Sequence, residues 1–197
     1  MRLIIITLSV LLAACSQAQQ PTTSASDGSD DIPQKYIGIA VGEDEDYDFP
    51  VALSEDAWKE RLTDEQYYVL REEGTERPFS DDLNDNKKKG IYYSAATGQP
   101  LFSSETKFES GTGWPSFYQP IDEEAVVLRE DGSAGMTRIE VEDSGSGSHL
   151  GHVFPDGPEP TGLRYCMNGA ALLFVAEGEE PPSLVKEYQT KYAERQP

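Results

Sequence analysis

A chain of 197 residues holds one domain of ordinary size with appendages. Its 16 basic and 36 acidic residues give a formal charge of −20, which argues against a nucleic-acid partner and against electrostatic attraction to anionic lipid. Two cysteines, Cys15 and Cys166, are too few for a disulfide scaffold.

The first residues are an appendage. Arg2 supplies a positive charge, and Leu3 to Leu12 form a short apolar core broken only by Thr7 and Ser9. About ten residues fall short of the roughly 30 Å of hydrocarbon that a spanning helix must cross, so residues 1–14 read as a secretory signal peptide. Leu12-Ala13-Ala14-Cys15 resembles the bacterial lipobox, in which the thiol is lipidated and the signal is cut away. The alternative is an ordinary signal with Cys15 incidental. Lipidation of Cys15 implies an extracytoplasmic, membrane-anchored lipoprotein, on the periplasmic face if the cell has an outer membrane. It leaves the exported domain one thiol and no disulfide.

Residues 15–53 then read as a lipidated acidic tether. Residues 16–31 have almost no apolar content, and Glu43 to Asp48 prolong the polar stretch despite Ile37 and Ile39. As coil, residues 16–53 would span on the order of 35 Å.

The folded domain is expected over 54–177. Ser54 is a good N-cap for a short helix carrying Trp58 and Leu62, and Thr63-Asp64-Glu65-Gln66 is a capping box for a second. Leu62 and Tyr67 are placed as its hydrophobic staple, and Gly74 as its end. Asp81 to Asn86 has the outline of a calcium loop, but Lys87 stands where an EF-hand turn needs glycine. After Gly90, short apolar runs alternate with Gly, Pro and Ser turns: Ile91 to Tyr93, Ala125 to Leu128, Met136 to Val141 and Leu172 to Val175. This is the pattern of antiparallel β structure. Residues 178–197 read as a polar C-terminal tail, partly helical or loose.

Three stretches could carry chemistry. Both histidines lie in Ser148-His149-Leu150-Gly151-His152; such a pair could open a zinc site, but the remaining ligands are carboxylates such as Asp143 and a distant thiol. Cys166 lies in Gly162-Leu163-Arg164-Tyr165-Cys166-Met167-Asn168. As a strand, this puts Arg164, Cys166 and Asn168 on one face and Leu163, Tyr165 and Met167 on the other. A thiol on the polar face beside a fixed cation favours a reactive thiolate over a packed cysteine. The third stretch is Ser110-Gly111-Thr112-Gly113-Trp114-Pro115-Ser116-Phe117, where glycines allow a sharp turn and Trp114 offers a flat apolar wall; a core tryptophan after a tight turn is the other reading.

Gly111 to Phe117, Ser148 to Gly157 and Gly162 to Asn168 together resemble the type B methionine sulfoxide reductases, and Trp58 to Pro78 and Gly90 to Phe108 fit the same family. The resemblance covers residues 54–177 in order. It implies a mainly β fold, with antiparallel sheets of the β-tent type and short N-terminal helices. It implies an oxidoreductase of peptide-methionine (R)-S-oxide, with Cys166 as nucleophile. His149, His152, Asp156, Arg164 and Asn168 match residues that bind and activate the sulfoxide, and Trp114 matches the wall for the substrate methyl. Thiolate attacks a sulfoxide sulfur only as the oxygen is protonated, so nucleophile and proton donor must face each other. The products are methionine and a Cys166 sulfenic acid.

The chain departs from the family pattern twice. Many members bind structural zinc through two CxxC pairs; here those positions are Ser94 and Thr97, then Asp143 and Ser146, so no zinc or other cofactor is expected. Many carry a resolving cysteine where this chain has Thr112, so an external thiol such as a thioredoxin-like protein is the expected reductant. Oxidised envelope proteins or peptides are the expected substrates. The alternatives are a thiol peroxidase, which leaves Trp114 without a purpose, and a non-catalytic β domain that binds peptides or senses oxidant.

Overall fold

A computed structural model describes residues 35–42, 45–133, 135–192 and 194. The signal peptide, Cys15 and the first part of the expected tether lie outside the described residues.

Two short helices open the domain, and both are set by their caps. In α1 (Glu55–Arg61) the Ser54 hydroxyl accepts from the Ala57 N–H, and in α2 (Asp64–Arg71) the Thr63–Gln66 capping box is made in both directions. Trp58, Val69 and Leu70 are the residues these helices bury. α2 stops earlier than Gly74: Glu73 takes the left-handed turn (φ 55°), and the Gly74 N–H closes on the Tyr68 carbonyl at 2.9 Å. A Cβ at 74 would meet the ring of Tyr68, which is half exposed and would have to shift.

The rest is mainly β, as expected. A three-stranded antiparallel sheet runs in the order β10 (Leu172–Ala176), β2 (Gly90–Ser94), β3 (Pro100–Ser103). A seven-stranded sheet runs β1 (Ile39–Ala40), β6 (Val126–Asp131), β7 (Arg138–Asp143), β8 (His149–Phe154), β9 (Arg164–Met167), β5 (Ser116–Phe117), β4 (Lys107–Phe108). All its pairings are antiparallel except β1 on β6. An aromatic cluster joins the two sheets. Phe102 of β3 stacks on Phe117 of β5 with centroids 4.5 Å apart, and Tyr92 of β2 meets Phe117 edge-on at 4.9 Å.

The described residues of two segments read as appendages pack on the fold. Residues expected in the acidic tether lie along the sheet: β1 pairs with β6, Val41 is buried, and the Tyr165 hydroxyl donates to the Ile37 carbonyl at 2.5 Å while accepting from its N–H at 3.0 Å. Arg129 Nη1 donates to the carbonyls of Gly42 and Glu45, and the Val51 N–H donates to the Gly145 carbonyl. The apolar residues Ile37, Ile39, Val41 and Val51 outweigh the acidic run between them. At the other end α3 (Ser183–Lys191) buries Val185 and Tyr188, so the tail expected to be partly helical or loose contains a packed helix.

Ser94 and Thr97 are brought to Asp143 and Ser146. The buried Asp143 carboxylate accepts from the Ser94 hydroxyl, from Thr97 Oγ1 at 2.8 Å, from the Gly145 N–H at 2.5 Å and from the Ser146 hydroxyl at 3.4 Å. One carboxyl group surrounded by donors, its pKa pushed up by burial against the bonds that lower it, thus ties the β2–β3 turn to the β7–β8 turn.

Candidate active site

β9 places the thiol. Its burial alternates, with Tyr165 and Met167 in the core and Arg164 and Cys166 on the other face. Cys166 is half-buried and unpaired. Its cross-strand partners are His152 on β8 and Ser116 on β5, and His152 in turn faces Glu140 on β7. Directly opposed residues share a face, so Glu140, His152, Cys166 and Ser116 form one row across the polar side of the sheet.

The loop before β5 covers the thiol from one side. Thr112 Oγ1 lies 3.7 Å from Cys166 Sγ, and the Ser110 hydroxyl bonds to Thr112 Oγ1 at 2.8 Å and to Ser116 Oγ at 2.7 Å. Gly111 (φ 74°) and Gly113 (φ 95°) supply the left-handed turns. Trp114 is half-buried, and its indole N–H donates to the Glu76 carbonyl at 3.2 Å. The core alternative for Trp114 is not what the structure shows.

Each histidine has a carboxylate. His149 Nδ1 is 2.5 Å from Glu140 Oε1, while its Nε2 is buried and meets no partner among the described residues. His152 Nε2 is 2.7 Å from Asp131 Oδ2, and the two imidazoles lie 5.3 Å apart. Burial presses the His152 pKa down, against the hydrogen bond to Asp131, which raises it. Burial pushes Asp131 up, but bonds from Ser133, His152 and Arg138 hold its carboxyl well below the usual carboxylate range.

Arg164 flanks the thiol on its own strand. Its guanidinium grips Asp156 with two bonds, Nε to Oδ1 at 2.9 Å and Nη2 to Oδ2 at 2.8 Å, and lies 4.5 Å over the Phe154 ring. Although partial burial works against its charge, Asp156 and the Cys166 sulfur raise its pKa; Arg164 in turn lowers that of Asp156.

Asn168 departs from the expected alternation. β9 ends at Met167, and Asn168 turns inward, donating through Nδ2 to the Leu150 carbonyl at 3.0 Å and accepting at Oδ1 from the Glu76 N–H at 3.1 Å. Its amide is engaged with backbone. Residue 76 therefore touches both Asn168 and Trp114, and its own buried carboxylate accepts from the N–H groups of Gly169 and Ala170. The sequence reading missed Glu76, Asp131 and Glu140. The polar alternation Arg138, Glu140, Glu142 on β7 was the one available signal for Glu140.

The positions matched to zinc ligands do not fit that metal. They offer three hydroxyls and one carboxylate whose oxygens already accept several bonds, where zinc takes thiolate, imidazole or carboxylate. No cluster of three or more His, Cys, Asp or Glu suited to a metal occurs among the described residues.

The chain matches the SelR domain family over residues 62–176. It is 65% identical over 127 residues to a peptide methionine sulfoxide reductase MsrB of Methanosarcina mazei, covering 64% of this chain and 91% of the relative. It is 54% identical over 129 residues to a protein of the same name from Leptospira interrogans (66% and 98%) and 53% identical over 120 residues to one from Pseudomonas aeruginosa (61% and 91%). The chain belongs to the SelR domain family, as a type B methionine sulfoxide reductase.

Proposed function

We infer that the chain reduces methionine sulfoxide in proteins to methionine, with Cys166 as nucleophile. The observation that carries this reading is the row of Cys166 and His152 on facing strands, with Arg164 beside the sulfur and Thr112 above it. The Cys166 thiolate attacks the sulfoxide sulfur and forms an S–S bond as the oxygen takes up a proton, and a second proton lets that oxygen leave as water. A water molecule then attacks the Cys166 sulfur, the S–S bond breaks with its electron pair going to methionine, and one proton is released to leave a Cys166 sulfenic acid. His152 is the proton donor in this reading, oriented by Asp131, and the unpartnered Nε2 of His149 is a second group able to bond the oxygen. Arg164, fixed by Asp156, holds its positive charge beside the Cys166 sulfur. Trp114 lines the place of the S-methyl, and Asn168 acts through the backbone it holds. The R epimer is the substrate.

No zinc is required, since the Asp143 cluster already joins the two turns that a metal would join. With Thr112 beside the thiol, the sulfenic acid is reduced by an external thiol such as a thioredoxin-like protein. The apolar stretch Leu3 to Leu12 and the sequence Leu12-Ala13-Ala14-Cys15 support export and lipidation at Cys15, which would bring the enzyme to oxidised envelope proteins.

The test is turnover of a methionine-R-sulfoxide peptide with dithiothreitol, beside the S epimer and a hydroperoxide. Reduction of the R epimer, lost in a folded Cys166→Ser variant, is the expected result. Equal rates with both epimers, preference for hydroperoxide, or activity surviving in the variant overturns the reading.

A further inference from the structure

Among the described residues, two that are not glycine hold the left-handed backbone conformation, Glu73 (φ 55°) and Phe79 (φ 62°). Glu73 has a local reason, because it turns the chain out of α2. Phe79 has none. A bulky side chain is strained there, and burial does not offset the strain, since Phe79 is 68% exposed.

Its position is fixed from both sides. The Phe79 N–H donates to the Gly113 carbonyl at 2.8 Å, and Ser80 bonds back to the Arg77 carbonyl through its N–H at 3.3 Å and its hydroxyl at 2.6 Å. Pro78 and the Phe79 ring lie against Gly113, where an added Cβ would come within 2.8 Å of Pro78 Cβ and 2.9 Å of the ring. Gly113 stands between Thr112, which is 3.7 Å from the Cys166 sulfur, and Trp114. The strained aromatic is therefore seated on the loop that walls the thiol. Among the described residues only Tyr68 and Met136 are comparably large, apolar and exposed, in a chain of net charge −20.

We propose that Phe79, with the exposed Pro78 beside it, is a docking surface for the substrate polypeptide, taking an apolar side chain adjacent in sequence to the methionine sulfoxide. This rests on Cys166 being the nucleophile. With the oxidised side chain at Cys166, its neighbours in the substrate lie about 3.8 Å away per Cα step and must cross the rim. The Pro78–Phe79 part of that rim is uncharged, so it selects by apolar contact where the acidic surface cannot. The loop geometry holds the ring out for that contact.

The experiment compares blocked methionine-R-sulfoxide, a glycine-flanked sulfoxide peptide and a leucine-flanked one, using the full chain with dithiothreitol as reductant. The natural protein should favour the leucine-flanked peptide through KM. Phe79→Gly removes the ring while relieving the backbone, so its Tm should hold or rise. The ratio of kcat/KM for the leucine-flanked peptide to that for blocked methionine sulfoxide should fall about tenfold in this variant. Phe79→Leu should restore most of the ratio. An unchanged ratio in Phe79→Gly overturns the proposal. So does a natural protein without preference between the two peptides, whether or not the variant folds. A defect that appears only when a protein disulfide reductant replaces dithiothreitol would assign the surface to the reductant and overturn it too. Failure of the natural protein to reduce any of the three substrates would instead strike the reductase reading itself.

Discussion

Thr112 Oγ1 lies 3.7 Å from Cys166 Sγ, in van der Waals reach of the atom that must be regenerated each cycle. A hydroxyl there cannot form a disulfide, so without reductant the enzyme should release about one methionine per Cys166 and stop as a sulfenic acid that dimedone traps. Thr112→Cys would set a second sulfur at nearly the same place, and a bond of about 2.05 Å then needs only a small shift provided the β-carbons stand roughly 3.5–4.5 Å apart. The variant should lose both thiols together after one turnover and resist dimedone. A natural protein that instead forms a disulfide-linked dimer would show regeneration between two molecules.

Asp131 raises the His152 pKa against the burial that lowers it. The groups facing His152 are Asp131 on β6, Arg138 and Glu140 on β7, His149 on β8 and Cys166 on β9. Asp131→Asn removes the anion and leaves Arg138, whose charge also disfavours imidazolium. The His152 pKa should fall, so the alkaline limb of kcat should move to lower pH by about one unit, with activity near neutrality down about tenfold. An unmoved limb with reduced rate would limit Asp131 to holding the ring in place.

Local patterns carried the part of this structure that the sequence could reveal. The alternation of Leu163, Tyr165 and Met167 against Cys166 and the capping box at Thr63 are properties of a few consecutive residues, and both are present. Asn168 was misplaced because alternation holds only while the strand lasts, and β9 ends one residue before it. The strap at Ile39–Ala40 was hidden because its partners, Val127 and Leu128, are distant in sequence and its apolar residues sit beside an acidic run. The Asp131–His152 pair needs the order β6, β7, β8, which no local signal supplies.

Glu142 should make stability depend on pH near neutrality. Burial, then the neighbouring charge of Glu140, push its carboxyl up to about 7, against the opposing ion pair with Arg129 at 3.1 Å. Its side chain is only 14% exposed, so solvent screens this little. A folded pKa above the unfolded value of about 4.3 means that the native state binds the proton more tightly. The stabilisation is complete below that unfolded value and is lost as pH rises from there through 7. Glu142→Gln cannot titrate, so relative to the natural protein it should gain on the order of 2 kcal/mol between pH 4 and pH 8 in urea unfolding. A difference independent of pH would mean that Glu142 titrates alike in the folded and unfolded chain.

Asp143 joins two turns by accepting from Ser94, Thr97, Gly145 and Ser146 in a fully buried position. Asp143→Ala would leave three hydroxyls and one N–H buried around a gap. Some would bond to one another, as Ser146 and Ser148 already do at 2.8 Å, so the loss should be less than the sum of separate bonds. On the order of 3 kcal/mol is expected, read as a lower urea midpoint with an unchanged slope. The same geometry makes a stronger claim. Positions 94, 97, 143 and 146 converge on one point as two pairs spaced three residues apart. Replacing all four by cysteine should create a tetrathiolate site that binds one zinc ion per chain, with zinc–sulfur distances of about 2.3 Å. The metal would then hold the turns that the carboxylate holds now, so a chelator should lower the Tm of that variant and leave the natural protein unaffected. If the variant, with its thiols kept reduced, binds no zinc, the two turns do not converge as described. If the chelator also lowers the natural protein's Tm, the carboxylate is not what joins them.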